Sequence, residues 1–173
     1  MELERMYFFT ATIHKWIPLL TEEKFKKIII SSLKYLTDKQ LIKIYGFVIM
    51  PNHIHLIWEL LDLNKKEMPH ASFLKFTSHQ FLKDLRKNNQ ELLTKFKVEE
   101  VNKAYCFWQR DSLPIELYSP QVIFQKLEYI HNNPCRGKWM LVDNPLNYPY
   151  SSFGFYENGI DGFGFLNHVG ERI

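Results

Sequence analysis

The sequence predicts an α+β fold, a ferredoxin-like sandwich in which an antiparallel sheet carries helices packed on one face. Residues 7–13 are aromatic and β-branched, as in a strand, and two apolar runs within 44–60 are split by Pro51-Asn52, as in a hairpin. A segment with apolar residues at helical spacing follows the strand, and another follows the hairpin. The resulting order of strand, helix, hairpin, helix, strand and helix is typical of such a sandwich. We expect the other face of the sheet to stay free for a ligand.

Three helices follow from the spacing of apolar residues. The first is predicted over 21–36, starting at a Thr cap, and the second over 72–87. The third begins after Ser119-Pro120 and continues to about Asn133. Pro134 ends it, because proline has no N–H to donate and disfavours helical geometry in the residue before it.

The remaining segments give weaker patterns. Residues 88–104 are polar and predict an irregular or partly helical excursion, and 107–117 predict a further strand pair or a strand with a loop. The tail from about 143 is rich in Pro, Tyr, Ser, Phe and Gly and is expected to wrap the surface as irregular structure. We expect residues 1–173 to form a single domain.

Composition narrows the class of protein only slightly. The chain has 173 residues, 46% of them hydrophobic, which is enough for a core, and a formal net charge of +3. This charge is compatible with a polyanionic partner without singling one out. Cys106 and Cys135 indicate neither a disulfide framework nor a cysteine zinc site. The N-terminus resembles neither a signal peptide nor a membrane span, so a cytoplasmic protein without a membrane partner is expected.

The segment His53-Ile54-His55 is the first candidate for chemistry. Residues two apart on a strand project from the same face, so the two imidazoles lie side by side and can converge on one cation. A pair of partly exposed sheet histidines is the alternative. The surrounding apolar strand favours a metal site, since unpartnered imidazoles are costly there.

The second candidate is YIHNNP at 129–134. Tyr129 and Asn133 are four residues apart and share one helical face with Gln125, so a phenol and an amide oxygen are presented together. The alternative is that Tyr129 is an amphipathic core residue and Asn133 an ordinary helix-end residue. His131 points to another helix face, and we expect it to form a hydrogen bond or contact DNA rather than bind metal.

Three motifs together resemble a known family: MPNHIHLI at 50–57, YIHNNP at 129–134 with Arg136 following, and YPYSS at 148–152. They resemble the single-tyrosine HUH transposases, and among these the REP-associated tyrosine transposases. The resemblance implies that His53 and His55 bind a divalent ion, that Asn133 completes the metal site and that Tyr129 is the nucleophile. After Asn-Pro the family usually continues Val-Arg-Ala-Gly, whereas this chain continues Cys-Arg-Gly-Lys, which keeps the Arg and alters its surroundings.

The implied activity is metal-dependent DNA nicking and strand transfer through a 5′-phosphotyrosine. A phenol is a poor nucleophile at neutral pH because its pKa is near 10, so a cation beside it would supply activation. Imidazole and amide ligands suit Mg²⁺ or Mn²⁺. A catalytically silent DNA-hairpin-binding protein of the same fold is the alternative. A metal-binding protein unrelated to DNA would leave Tyr129 unexplained.

The expected partner is single-stranded or hairpin DNA, bound by a monomer or a homodimer. Each basic candidate has the alternative of being an ordinary solvated side chain, and Trp108, which is able to stack a base, has the alternative of core packing. The candidate DNA-binding residues are Arg110, Arg136, Lys138, Trp108, Lys83 and Arg86.

Overall fold

A computed structural model describes residues 1–100, 103–110 and 112–173. The strands are β1 (Met6–Thr12), β2 (Ile42–Met50), β3 (His53–Leu60), β4 (Lys97–Glu100), β5 (Lys103–Tyr105) and β6 (Leu113–Glu116). Four antiparallel strands form the main sheet, in the order β2-β3-β1-β6, and β4 and β5 form a separate two-stranded sheet.

Helices α1 (Glu23–Asp38) and α2 (Pro69–Asn88) pack against one face of this sheet, and the short α3 (Gln90–Thr94) follows α2. The core between them joins apolar side chains of α1 and α2 to those of the strands, including Phe9 and Trp58. The predicted α+β sandwich is therefore confirmed. No helix in the described ranges is long and apolar enough to cross a membrane.

The opposite face carries α4 (Pro120–Asn132), whereas the sequence predicted that this face would stay free. The reason is that α4 is amphipathic, and its apolar stripe of Ile123, Leu127 and Ile130 is buried against the sheet. Gly46 on β2 permits the close approach, since a Cβ there would lie 2.7 Å from Leu127 Cδ1.

The tail after residue 143 protects the open edge of β2 in addition to wrapping the surface. Ser151 forms an antiparallel bridge with Val48, and Leu166 a parallel bridge with Ile44. The Tyr148 hydroxyl donates to the backbone oxygen of Ile49 at 2.5 Å. Unpaired edge strands are sites of aggregation, so this cover has a structural function. The tail also contains α5 (Phe153–Asn158).

Several element boundaries differ from the sequence prediction. Helix α2 begins at Pro69, three residues earlier than expected, with a proline at its first position. Helix α1 begins two residues later than expected, because Thr21 ends a 3₁₀ turn, Leu19–Thr21, and does not cap the helix. Within the polar excursion at 88–104, the described residues form α3 and one strand of the β4–β5 pair, with part of the other. Residues 101, 102 and 111, which also belong to predicted segments, lie outside the described residues.

Candidate active site

His53 and His55 lie on the same face of β3, as the strand period predicts. Thr12 and Thr10 of β1 stand opposite them in the sheet. The two imidazole centroids are 4.7 Å apart, with the ring planes at 67°. His55 is 5% exposed and His53 is half-buried. Two imidazoles thus form a compact pair at the end of the strand.

Neighbouring side chains orient each ring. His53 Nδ1 lies 2.8 Å from Asn52 Oδ1, and Asn52 Nδ2 donates to the backbone oxygen of Trp16 at 3.2 Å. Because an amide oxygen only accepts, His53 Nδ1 carries the proton, and the lone pair of the neutral ring lies on Nε2. His55 Nδ1 lies 2.8 Å from the Thr10 hydroxyl oxygen. Such hydrogen bonds at the other ring nitrogen are typical of metal-binding histidines.

Burial keeps both imidazoles neutral. It lowers the pKa of His53 to about 4, against the opposing effect of a hydrogen bond with the Asn133 side chain and with a smaller contribution from the charge of Lys138. Burial lowers the pKa of His55 to about 3, helped by the charges of His53 and Lys126. At physiological pH both rings are therefore in the form that binds cations.

Helix α4 brings Tyr129 and Asn133 to the histidines. The Tyr129 ring centroid lies 5.3 Å from that of His55 and 6.0 Å from that of Phe8, both in edge-on geometry. Asn133, directly after α4, keeps helical backbone angles and hydrogen-bonds His53. Tyr129 is 45% exposed, so a ligand has access to it from solvent. Tyr129 is therefore not a buried core residue, which was the alternative interpretation of the sequence.

The donor set fits a divalent cation. His55 Nε2 is buried and has no hydrogen-bond partner among the described residues, which is costly unless a ligand binds it. The lone pair of the neutral His53 ring lies on Nε2, and the side chain of Asn133, which hydrogen-bonds His53, carries an amide oxygen that can bind a cation. No group of three or more His, Cys, Asp and Glu side chains suited to a metal occurs in the described ranges. A cation here would therefore rely on the amide as its third protein donor.

Four neighbours of the site were missed by sequence reasoning: Phe8, Thr10, Asn52 and Lys126. Phe8 and Thr10 face the histidines only because of the register between β1 and β3, which no local pattern reveals. Asn52 looked like a turn residue only. Lys126 precedes Tyr129 by three residues, a helical spacing that was available in the sequence.

Three of the predicted DNA-binding residues lie at the site's end of the sheet. Arg136 and Lys138 are exposed and follow Asn133 closely. The N–H of Gln109 donates to the backbone oxygen of Thr12 at 2.7 Å, so the exposed Arg110 lies at the end of β1 that pairs with the start of β3. Three exposed cationic side chains thus lie at the end of the sheet that carries the histidines.

Lys83 and Arg86 are exposed on α2, which packs on the face opposite to the histidines. Arg86 and Arg110 line a groove of about 590 Å³ between α2 and residues 104–110. The guanidinium of Arg86 lies 5.9 Å from the centroid of the Tyr105 ring. The structure therefore separates Lys83 and Arg86 from the site and places Arg86 beside an aromatic ring in a second groove.

Trp108 belongs to the core, which corrects its assignment as a base-stacking residue. It is 6% exposed, its Nε1 donates to the Thr77 hydroxyl at 2.9 Å, and its ring packs against Phe73 and Phe81. A ring enclosed in this way has no free face for a base. The core-packing alternative describes Trp108.

Replacement of Trp108 by Ala is accordingly expected to lower the free energy of unfolding by about 3–5 kcal/mol, because it leaves a cavity beside α2. Trp16→Ala is the matched control, since Trp16 is 63% exposed and its replacement should change stability by less than about 1 kcal/mol. Urea denaturation followed by circular dichroism measures both. Equal stabilities of the two variants would contradict the core assignment.

His131 also has a structural function. Its Nε2 lies 2.9 Å from the Ser152 hydroxyl oxygen, which in turn contacts the backbone of Phe47 in β2. Burial lowers the pKa of His131 to about 4. The hydrogen-bonding expectation is thus confirmed, and the residue ties α4 to the tail motif at 148–152.

Fold and site together define an α+β sandwich in which two strand histidines face a helix tyrosine. Among solved structures, the chain is similar to a REP-associated tyrosine transposase bound to a REP hairpin. The TM-score is 0.62 at 19% identity, and the match covers 97% of this chain and 88% of that one. At this identity the similarity establishes the fold. No protein-family model and no curated protein matches the sequence.

Proposed function

We propose that this protein cleaves and rejoins single-stranded or hairpin DNA through a covalent intermediate on Tyr129, with Mg²⁺ or Mn²⁺ bound by His53, His55 and Asn133. One observation carries the proposal: the accessible Tyr129 ring lies 5.3 Å from His55, whose buried Nε2 has no partner among the described residues. The structural similarity to a transposase that holds a REP hairpin supports DNA as the substrate.

The chemical step uses the Tyr129 oxygen as nucleophile. It attacks a backbone phosphorus, the bond from phosphorus to the 3′ oxygen of the preceding nucleotide breaks, and that oxygen leaves as a 3′-hydroxyl after taking up a proton. The product is a 5′-phosphotyrosine. Attack on it by a 3′-hydroxyl reverses the reaction and joins two DNA ends without ATP, because the number of phosphodiester bonds is conserved.

Side chains of this chain prepare that step. Asn52 and Thr10 hold the two imidazoles in place, and α4 fixes the Tyr129 ring against His55. When bound, a divalent cation would polarise the phosphate and stabilise negative charge on its oxygens. Positioning of the phenol beside the phosphate supplies a further part of the acceleration.

We further propose that Arg136, Lys138 and Arg110 contact phosphates next to the cleaved bond, and that Arg86 and Lys83 contact a more distant part of the DNA. The exposed positions of these residues support this arrangement. A chain of phosphates that runs from the histidines past the end of the sheet to the groove beside α2 would meet all of them.

Arg86→Gln and Arg110→Gln should each weaken binding of a single-stranded oligonucleotide. Each should also reduce the slope of log affinity against log salt by roughly 0.7, the value for loss of one phosphate contact. Fluorescence anisotropy at several salt concentrations gives the slope. Lys27→Gln, an ion-paired residue on α1, serves as control and should leave the slope unchanged. Unchanged slopes for both Arg variants would exclude this groove as a DNA contact.

The proposed function is tested by incubating the protein with single-stranded DNA from both flanks of its gene, with Mg²⁺ or Mn²⁺. A covalent protein–DNA adduct that survives denaturation, and that is absent when EDTA is present, is the expected result. Selective binding of the hairpin without any adduct would favour the alternative, a DNA-hairpin-binding protein that does not cleave.

A further inference from the structure

Lys126 stands within the aromatic cluster of the site. Its Nζ lies 4.9 Å from the centroid of the Phe8 ring and 5.9 Å from that of Tyr129. Phe8 in turn stacks on His55, with centroids 5.2 Å apart. No carboxylate in the described ranges forms an ion pair with Lys126. This ammonium group thus places an unneutralised positive charge beside Tyr129 and near His55.

The charge balance of the site is unusual for a cation site. Imidazole and amide donors are uncharged when they bind a metal ion, and the described residues contain no carboxylate-bearing cluster suited to one. A divalent ion held by His53, His55 and Asn133 would therefore face Lys126 without an anionic protein ligand. Repulsion between these charges opposes metal binding until an anion enters the site.

We propose that Lys126 binds the phosphate that Tyr129 attacks, and that this phosphate supplies the negative charge that the cation site lacks. Cation and DNA then bind cooperatively, and each raises the affinity for the other by the same factor. This inference rests on the proposed function and adds to it a phosphate-binding residue and an order of assembly. The free protein holds the metal weakly, and the complete site forms only around the DNA backbone.

The test measures the affinity of the full-length protein for Mn²⁺ by electron paramagnetic resonance of the unbound ion. The dinucleotide d(TpT) is the probe, since it carries one phosphodiester, and its uncharged methylphosphonate analogue is the matched control. We expect d(TpT) to tighten Mn²⁺ binding by about fivefold or more, on the scale of a nearby charge pair. The methylphosphonate should have no such effect.

Variants of Lys126 distinguish phosphate binding from a purely structural function, because the two predict opposite changes in the affinity of the free protein for Mn²⁺. Lys126→Met and Lys126→Gln should tighten Mn²⁺ binding to the free protein by about fivefold, since they remove a like charge, and should abolish the effect of d(TpT). Lys126→Arg should retain that effect. Lys27→Met, which changes an ion-paired lysine on α1, is the control and should behave as wild type.

Two kinds of result overturn the inference and are distinct from each other. If d(TpT) does not change the affinity for Mn²⁺, or if both neutral variants bind Mn²⁺ more weakly, the proposed function of Lys126 is wrong. The proposed cleavage is unaffected by either result, provided that wild type still forms the DNA adduct. Failure of wild type to bind Mn²⁺ with or without d(TpT) overturns both this inference and the cation in the proposed function.

Discussion

Tyr129→Phe is expected to abolish the covalent protein–DNA adduct and to lower strand cleavage by about a thousandfold or more. The substitution removes only the hydroxyl oxygen that would attack phosphorus, and no other phenol is seen beside the histidines in the described residues. The ring contacts with His55 and Phe8 are preserved, so folding and DNA affinity should stay close to wild type. Denaturing gel electrophoresis with labelled single-stranded DNA measures both adduct and cleavage.

Tyr118→Phe is the matched control, since Tyr118 is also exposed and lies just before α4, away from the histidines. It should leave adduct formation unchanged. Cleavage that persists in Tyr129→Phe without an adduct would mean that water is the nucleophile and that the protein is a metal nuclease. An adduct that still forms in Tyr129→Phe would show that another residue is the nucleophile.

The double replacement His53→Ala and His55→Ala is expected to reduce cleavage by at least about a hundredfold. Removal of both imidazoles removes two of the three proposed protein donors, and a metal-bound phosphate is worth several kcal/mol of transition-state stabilisation. Binding of hairpin DNA should weaken only by about the fivefold that coupling to the cation contributes, because Arg and Lys contacts to phosphates dominate the affinity. Parallel cleavage and anisotropy measurements separate the two quantities.

His168→Ala controls for loss of an imidazole as such, since His168 is exposed in the C-terminal tail, where its ring lies beside Tyr156. It should cleave as wild type does. Equal losses of cleavage and of DNA affinity in the double variant would show that the histidines act in binding. Full cleavage in the double variant would remove the metal site from the proposed function.

The geometry of both motifs could be predicted because it depends on the backbone within one element. On a strand, residues two apart share a face whatever the strand pairs with, so His53 and His55 are adjacent. On a helix, residues four apart share a face, so Tyr129 and Asn133 reach the same place. The end of α4 near Pro134 could be predicted for the same reason, because proline ends a helix through its own backbone geometry.

Residues whose environment depends on distant partners could not be assigned in this way. Trp108 looked equally suited to stacking a base and to core packing, and only the packing of α2 against the sheet encloses it. Lys83 and Arg86 shared a basic composition with Arg136, yet α2 and α4 lie on opposite faces of the sheet. A basic side chain alone carries no information about which face its helix will cover.

The sequence by itself determined the α+β class, the histidine pair and the pairing of Tyr129 with Asn133, because strand and helix periods are properties of the local backbone. Only the tertiary structure decided that α4 crosses the histidine face, that Thr10 stands opposite His55 and that Lys126 stands beside Phe8. These contacts join segments far apart in the chain. Strand register and helix docking are set by the packing of the whole core, which no single segment specifies.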